Sequence, residues 1–469
     1  MGMVLVAFQD RRVVDEHGSP VVLRGVGLGG WLNMENFVSG FPGHEKPLRD
    51  AMMRAMGQDK YDYFFDRWLY WFFTEADAKF LKSLGLNCVR LPFNYRHFED
   101  DMNPRVLKTS GFKHLDRVVD LCAKEGIYSI LDMHTLPGGQ SGGWHSDNTT
   151  TYAAFWDHKD FQDRTVWLWE ELAKHYKDNP WVAGYNPINE PADPLHYRLP
   201  KFYVRLEKAV RAIDPRHILW LDGNTYANEW REFTEIPNSV YSIHDYSTMG
   251  FPTGERYKGA QEQKESLRTQ YFRKTEFQRE RNLPVWNGEF GPVYADARDT
   301  PEAAEINQDR YNLLGEQLKI YDDHDIPWHI WLYKDIGLQG MICTSPDSPY
   351  NRLIEPMIQT KRRLQLDQWG KDPSEEIAAV IDPLLDWIDR VAPHATKTYP
   401  QIWKTRRHVE AHVLQSFLAN TFCDHFAELF KGKSQEELEG LARSWSFEQC
   451  IKRDGLNEIL SQHAHTRTT

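Results

Sequence analysis

Two glutamates that each end an apolar run are the residues of this sequence best suited to chemistry. Glu190 lies in YNPINEPADP (185–194), where Pro191 stops the run directly after it, and Glu289 lies near the end of PVWNGEF (284–290). Two carboxyl groups that flank a glycosidic bond can hydrolyse it, one by protonating the departing oxygen and the other by attacking the anomeric carbon. The pair therefore indicates acid–base chemistry on a sugar, provided that the fold brings the two side chains together.

The elements that must position these glutamates are short apolar or β-branched runs that alternate with amphipathic helical patterns. The predicted strands are 21–32, 87–93, 127–134, 181–190, 217–223, 240–246, 284–290 and 327–335. The predicted helices, whose apolar positions are three and four residues apart, are 75–85, 112–126, 161–177, 200–213, 260–281, 303–323 and 352–368. Eight strands, most of them followed by a helix, favour an α/β fold of the (β/α)8 TIM barrel type.

A doubly wound open sheet is the alternative fold. It would need a GxGxxG turn that opens the first helix. The glycines of GVGLGG (25–30) have a different spacing, and Trp31 stands where that helix would begin. We therefore predict the closed barrel.

Two segments fall outside the barrel pattern. Residues 40–73 predict a helical insertion after the first strand, and residues 371–469 predict a helical C-terminal extension packed on the barrel. The barrel domain is thus expected to span 1–370, including the insertion. Since loops at this end of a barrel build the active-site face, the insertion is expected to wall the pocket. The extension is interpreted as a structural brace.

The polar residues of the predicted strands cluster at the strand ends where barrel enzymes place their catalytic groups. They are Arg90, His134, Asn189, Glu190, His244, Tyr246, Glu289 and Trp331. Glu190 and Glu289 end the fourth and seventh strands, which face each other across an eight-stranded barrel. A cation beside a carboxyl group favours its charged form, so Arg90 is expected to keep Glu289 ionised as the nucleophile. Glu190, among prolines and aromatic residues, is expected to stay protonated as the acid.

Six motifs occur along the chain in the order that is typical of one enzyme family. They are RLPF (90–93), DMH (132–134), NPINEP (186–191), HDY (244–246), WNGEFG (286–291) and WLYKD (331–335). On these motifs the chain resembles glycoside hydrolase family 5, whose members are retaining (β/α)8-barrel glycosidases. The resemblance implies that Glu190 is the acid/base, that Glu289 is the nucleophile, and that no cofactor or metal is needed.

The resemblance also implies a role for the remaining residues at the strand ends. Asn189 would hold the 2-hydroxyl of the transferred sugar, a contact that strengthens in the transition state. Arg90 and Tyr246 would orient Glu289. His134 and His244 would line the same subsite, and the sugar would stack on Trp331. For His134, positioning of a neighbour is an equal alternative.

The substrate class follows from two loops. GLGGWLNMENF (27–37) resembles the exo-β-1,3-glucanase and β-glucosidase branch of the family, where the acid matching Glu35 binds hydroxyls at the non-reducing end. HTLPGGQSGGWHSDN (134–148) resembles the loop of that branch in which an Asp, here Asp147, contacts the same sugar. This loop is longer here, and its inserted Trp144 is assigned to substrate binding.

The expected activity is therefore retaining, exo-acting hydrolysis of β-D-glucosides, with an oligosaccharide, aryl or lipid-linked aglycone. An endo-β-glucanase or a transglycosylase of the same family is an alternative. An alternative from another class is a non-catalytic carbohydrate-binding scaffold, because a fold alone does not establish an activity.

The composition argues against several other classes of protein. Lys and Arg number 56 against 68 Asp and Glu, a net charge of −12, which disfavours binding to nucleic acid. No apolar stretch reaches the ~20 residues of a membrane span. The start of the chain shows no signal-peptide pattern, and the five cysteines form no CxxC pair, so a cytoplasmic location is expected. The oligomeric state stays open.

Other hydrolytic chemistries lack their motifs. Asp132, His134 and His244 at strand ends raise the possibility of a metal site, but the first strand carries no HxH and HExxH is absent. A GxSxG elbow is absent as well, which disfavours a serine hydrolase.

Overall fold

Eight parallel strands form a closed barrel in the computed structural model, which describes residues 7–9, 12–15, 17–367, 369, 374–394, 399–400 and 403–465. The barrel strands are β1 Arg24–Gly27, β2 Cys88–Asn94, β3 Tyr128–Thr135, β4 Val182–Asn186, β5 Ile218–Asp222, β6 Ser239–His244, β7 Val285–Glu289 and β8 Trp328–Ile330. Each strand pairs with the next along the chain, and β8 pairs with β1. The predicted (β/α)8 barrel is confirmed.

Helices surround the barrel and bury one face against it. In Phe112–Lys124, for example, Leu115, Val118, Val119 and Cys122 are buried at spacings of three and four. The outer helices are Glu75–Ser83, Phe112–Lys124, Lys159–Tyr176, Arg198–Arg211, Gln261–Lys274, Glu276–Arg281, Ala303–Asp323 and Pro349–Leu364. After β5 the chain forms only the short turn of helix Asn224–Ala227.

Short elements complete the loops. The 3-10 turns are Tyr95–His97, Thr109–Gly111, Trp144–Ser146, Ala154–Trp156, Thr248–Gly250 and Phe447–Gln449. A hairpin of Ala7–Gln9 and Arg12–Val14 precedes the barrel.

Three barrel strands are about half as long as their sequence patterns, or shorter still. β1 and β8 cover only parts of 21–32 and 327–335, and β4 ends at Asn186 instead of residue 190. Proline has no N–H to donate to a neighbouring strand, so pairing of β4 stops before Pro187. Glu190 therefore lies on the loop beyond the strand end, where strand pairing does not restrict its backbone conformation.

The predicted insertion is helical. It contains Glu45–Met56 and Gln58–Phe72, the second of which buries an aromatic face, and the short helix Asn36–Ser39 precedes it. This face packs against the C-terminal extension, with ring centroids 5.3 Å apart for Phe64 and Phe430. The insertion thus lies between the barrel and the extension.

The C-terminal extension is also helical. Its helices are Glu375–Val391, Thr405–Val409, the π-helix Glu410–Leu418, Ala419–Thr421, Cys423–Glu428, Gln435–Arg443 and Asp454–Ala464. Its strand Cys450–Lys452 pairs with Ile342–Thr344, which in turn pairs with Lys334–Asp335 after β8. The predicted domain boundary at 370–371 falls outside the described residues. No helix within the described ranges is long and apolar enough to cross a bilayer.

A buried lysine joins the three parts of the molecule. The Lys334 ammonium donates to Asp77 Oδ1 at 2.8 Å, and to the carbonyl oxygens of Phe72 and Trp445 at 2.7 Å each. Lys334 and Asp77 are both fully buried. Because Phe72 belongs to the insertion and Trp445 to the extension, this charge links both to the barrel.

Replacement of Lys334 by Met should therefore destabilise the whole protein. The change leaves the Asp77 carboxylate buried without its cation, which costs about 3–5 kcal/mol of unfolding free energy. Chemical denaturation followed by fluorescence measures this loss. Lys79→Met is the control, because its pair with Glu75 is more than half exposed and should contribute little. Equal stabilities of the two variants would contradict the structural role of Lys334.

Candidate active site

Glu190 and Glu289 meet at the C-terminal mouth of the barrel. Three atoms lie within 4.8 Å of one another: one carboxylate oxygen of each glutamate and one ring nitrogen of His244. Carboxyl groups about 5–5.5 Å apart suit a retaining glycosidase, whereas inverting enzymes need about 6.5–9.5 Å to admit a water molecule. The closest approach of the two carboxylates is therefore shorter than the separation of an inverting site.

The backbone holds Glu190 in an uncommon conformation. Its φ is +44°, in the left-handed region that non-glycine residues rarely adopt, at a cost of about 1–3 kcal/mol. Its N–H donates to Asp222 Oδ2 at the end of β5, at 3.0 Å. The loop that begins at Pro187 thus turns the Glu190 side chain towards the barrel axis.

Glu289 is held by two donors. Arg90 Nη1 lies 2.5 Å from its Oε1, and the Tyr246 hydroxyl donates to its Oε2 at 3.1 Å. Arg90 is fully buried and also donates to the amide oxygens of Asn186 and Asn189. These charge-assisted bonds fix the orientation of the carboxylate, as expected for a nucleophile.

Glu190 is hydrogen-bonded to a histidine. His244 Nδ1 lies 2.7 Å from its Oε1, and His145 Nε2 lies 3.4 Å from its Oε2. Burial acts to raise the pKa of Glu190, but the bond to His244 and the histidine charges outweigh it and lower the pKa to about 2. Burial acts to lower the pKa of His244, but Glu289, Asp222 and Glu190 together raise it.

The proton shared by Glu190 and His244 therefore resides on the imidazole in the unliganded protein. This differs from the prediction of a protonated Glu190, which considered only the apolar neighbours in the sequence. The histidine comes from β6 and is far away in the sequence. For Glu190 to act as an acid, this proton must return from His244 Nδ1 to Glu190 Oε1, across the 2.7 Å contact.

His134 positions neighbours on two sides. Its Nδ1 lies 2.7 Å from Asp132 Oδ2, and its Nε2 lies 3.1 Å from Asn189 Nδ2. With the Nδ1–H donating to Asp132, Nε2 is left to accept from the Asn189 amide nitrogen. The Asn189 amide oxygen accepts from Arg90 at 2.6 Å. The His134 ring also stacks on Trp331 at 5.4 Å between centroids. His134 thereby orients both the Asn189 amide and the Trp331 indole, and it also lines the cavity.

Two glycines, one at the end of β1 and one just after it, make room for Trp331. A Cβ at Gly27 or Gly29 would approach the indole ring to 2.7 Å or 2.5 Å. The GVGLGG segment thus serves close packing of an aromatic floor, because any larger side chain would displace the indole.

Glu35 and Trp144 form one wall of the cavity. Trp144 Nε1 donates to Glu35 Oε2 at 3.2 Å. Burial, with the nearby charges of Glu289 and Glu190, raises the pKa of Glu35. Its Oε1 is buried and makes no hydrogen bond to any described residue. The nearest charged group given for this oxygen is His134, whose Nε2 lies 3.9 Å away.

Asp147 is not brought to the cavity. Its Oδ2 accepts from Arg96 Nη1 at 2.6 Å and from Asn94 Nδ2 at 3.0 Å, and its Oδ1 accepts from the N–H of Lys46 at 2.9 Å. The extra residues Trp144–Ser146 form a 3-10 turn that directs the Asp147 side chain away from the barrel axis. In the structure Asp147 ties this loop to β2 and the insertion, instead of facing the sugar as predicted.

Comparison with known proteins identifies the family. The family model described as cellulase (glycosyl hydrolase family 5) matches residues 50–337. The chain is 51% identical over 470 residues to a protein named beta-xylosidase from Phanerodontia chrysosporium, with 98% of each chain covered.

The chain belongs to glycoside hydrolase family 5. With its two glutamates facing each other, it is a glycoside hydrolase. It is also 26% identical over 236 residues to a probable glucan 1,3-beta-glucosidase A of Aspergillus fumigatus, which covers 48% of this chain and 56% of that protein. A crystal structure of an endogalactoceramidase matches with a TM-score of 0.53 at 15% identity, over 76% of this chain and 78% of that one. At this identity the structural match supports the fold alone.

The cavity of this family 5 hydrolase, about 750 Å³ in volume, has further lining residues that the sequence reasoning did not assign. They include Phe37, His145, Tyr226, Phe251, Trp369, Trp403 and Arg407. Trp403 and Arg407 belong to the extension, which the sequence analysis interpreted as a brace. The aromatic and basic run WKTRR (403–407) is a signal for a binding role, but no pattern in the sequence indicates which loops it meets.

The basic limb of the pH profile of kcat/KM should report the Glu190–His244 pair. The reaction needs the proton that this pair shares. Because the pKa of His244 is raised, the pair holds this proton below that pKa and loses it as the pH rises through it. In His244→Asn the carboxyl group alone must hold the proton, so kcat/KM should fall and the basic limb should move to lower pH. The profile is measured with an aryl β-glycoside.

Two comparisons sharpen this experiment. A 2,4-dinitrophenyl glycoside needs little protonation of its leaving group, so His244→Asn should impair its cleavage less. His175→Asn removes an exposed histidine that pairs with Asp116 and should leave the profile in place. A basic limb that is the same in His244→Asn as in the wild type would contradict the assignment.

Proposed function

We propose that this family 5 hydrolase is a retaining, exo-acting β-glycosidase that removes one sugar from the non-reducing end of its substrates. The observation that carries the proposal is the Glu190–Glu289 pair, whose oxygens lie within 4.8 Å beside Arg90. Double displacement at an anomeric carbon needs one carboxyl group as acid/base and one carboxylate as nucleophile, and this pair supplies both.

The proposed reaction has two steps. In the first, Glu289 attacks the anomeric carbon while Glu190 protonates the departing oxygen, which gives a glycosyl ester of Glu289 and frees the aglycone. In the second, Glu190 removes a proton from water, which attacks the same carbon and releases Glu289. Two inversions retain the β configuration.

Glu35 supports exo action. It lines the cavity with Trp144 and Phe37, and its Oε1 makes no hydrogen bond to a described residue. A buried polar atom without a hydrogen bond is costly, and a hydroxyl at the non-reducing end of the sugar would satisfy it. A chain that continued past this sugar would meet the wall.

Two glycones have specific support. The full-length similarity to a protein named beta-xylosidase favours β-D-xylosides. The GLGGWLNMENF segment, with Glu35 at the cavity, favours the β-D-glucosides that the sequence analysis predicted. These sugars differ by one hydroxymethyl group, which a pocket discriminates by about 10–200-fold.

A panel of 4-nitrophenyl glycosides decides between these glycones. The β-D-xyloside, the β-D-glucoside and their α anomers are compared by kcat/KM under one set of conditions. We expect release only from β anomers, with one sugar preferred. Product analysis on the matching oligosaccharide should show single-sugar release, whereas internal cleavage would indicate an endo-acting enzyme and larger products a transglycosylase.

The two glutamates should be separable by azide. Glu289→Gly should lower kcat by more than about a thousandfold, and azide should restore cleavage of a 2,4-dinitrophenyl glycoside with an α-glycosyl azide as product. Glu190→Gly should instead yield the β-glycosyl azide, because Glu289 still forms the intermediate. Normal activity of the Glu289 variant would disprove the assignment. Glu305→Gln, an exposed change on an outer helix, is the control.

A further inference from the structure

One segment of the C-terminal extension crosses the mouth of the barrel. We call residues 399–400 and 403–416 the C-terminal strap. At one end the Tyr399 and Thr225 hydroxyl oxygens lie 3.0 Å apart. At the other end Ser416 Oγ donates to the carbonyl oxygen of Thr149 at 3.5 Å. The strap therefore joins the loop after β5 to the loop after β3.

A layered stack holds the middle of the strap. The Trp403 ring lies nearly parallel to that of Tyr226, with 5.6 Å between centroids. The Arg407 guanidinium lies 4.9 Å from the centroid of Trp403 and 5.4 Å from that of Trp144. Cation–π contacts of this kind are worth about 0.5–2 kcal/mol each.

The stack contributes directly to the catalytic cavity. All four residues, Trp144, Tyr226, Trp403 and Arg407, line it. Arg407 Nη1 also donates to Gln415 Oε1 at 3.0 Å, so the following π-helix fixes the guanidinium. The extension is thus part of the wall of the site.

The strap lies on the side of the leaving group. β4, which leads to Glu190, runs between β3 and β5, and the strap joins the loops after those two strands. His145 connects the features, since its Nε2 lies 3.4 Å from Glu190 and its ring centroid lies 5.9 Å from that of Tyr226. Because Glu190 delivers its proton to the departing oxygen, the group attached to that oxygen lies near the Tyr226–Trp403 part of the stack, whereas Arg407 packs on Trp144 in the wall beside Glu35.

We propose that the C-terminal strap determines the substrate class of this site by limiting the size of the leaving group. With the strap in place, the cavity takes glycosides with a short aglycone, such as an aryl group or one further sugar, and rejects longer chains. This inference rests on the proposed function, because it names which β-glycosides the site accepts.

Trp403→Ala tests the proposal. The readout is the ratio of kcat/KM for a linear pentasaccharide to kcat/KM for the 4-nitrophenyl glycoside of the same sugar. The pentasaccharide is xylopentaose for a xylosidase and laminaripentaose for a glucosidase. We expect the ratio to rise at least about fivefold, since discrimination by pocket size falls in the range of 10–200-fold. Both substrates are cleaved by the same folded molecules, so partial unfolding does not alter the ratio.

Two further variants complete the experiment. Tyr399→Phe removes the hydroxyl that meets Thr225 and keeps the ring, so the ratio should rise by a smaller factor. Trp387→Ala is the matched control, because this tryptophan is 54% exposed on another helix of the extension, and the ratio should stay at the wild-type value.

The outcomes separate the two proposals. An unchanged ratio in Trp403→Ala would overturn the role of the strap, and a falling ratio would overturn it as well, since the strap would then bind long leaving groups instead of excluding them. If the wild-type protein cleaves neither substrate of either sugar, the proposed function fails, and this inference fails with it.

Discussion

A buried arginine holds the catalytic end of the barrel together. Arg90 on β2 bonds to Asp132 on β3, to Asn186 on β4, to Asn189 on the loop that follows and to Glu289 on β7. A guanidinium without water is tolerated only when its donors are satisfied. The strands that supply these acceptors are therefore constrained to one geometry, in which the nucleophile, the Asn189 amide and the acid face a common point.

The acid/base side of the site depends on charge in another way. Among the described residues, the carboxylate of Glu190 is paired with the imidazoles of His244 and His145 and not with an arginine. The two carboxylates thus have different partners, a permanent cation for one and a titratable ring for the other. Such a difference assigns the roles of two chemically identical groups, because only the second partner can exchange a proton near neutral pH.

The cavity is assembled from parts far apart in the chain. The loop after β1 supplies Glu35, the loop after β3 supplies Trp144, and the extension supplies Trp403 and Arg407. Lys334, buried between barrel, insertion and extension, couples the stability of these parts. The extension is consequently both a structural and a functional element of this family 5 hydrolase.

The sequence by itself determined the barrel, its eight strands and the two glutamates, because alternating apolar runs and local motifs are properties of neighbouring residues. The polar strand ends, Glu35 and Trp144 were also accessible from the sequence. Only the tertiary structure decided where the proton shared with Glu190 resides, since His244 comes from another strand. Only the tertiary structure shows, too, that Asp147 pairs with Arg96. It also decided that the extension walls the site, because contacts between distant segments depend on how the chain packs and leave no periodicity in the sequence.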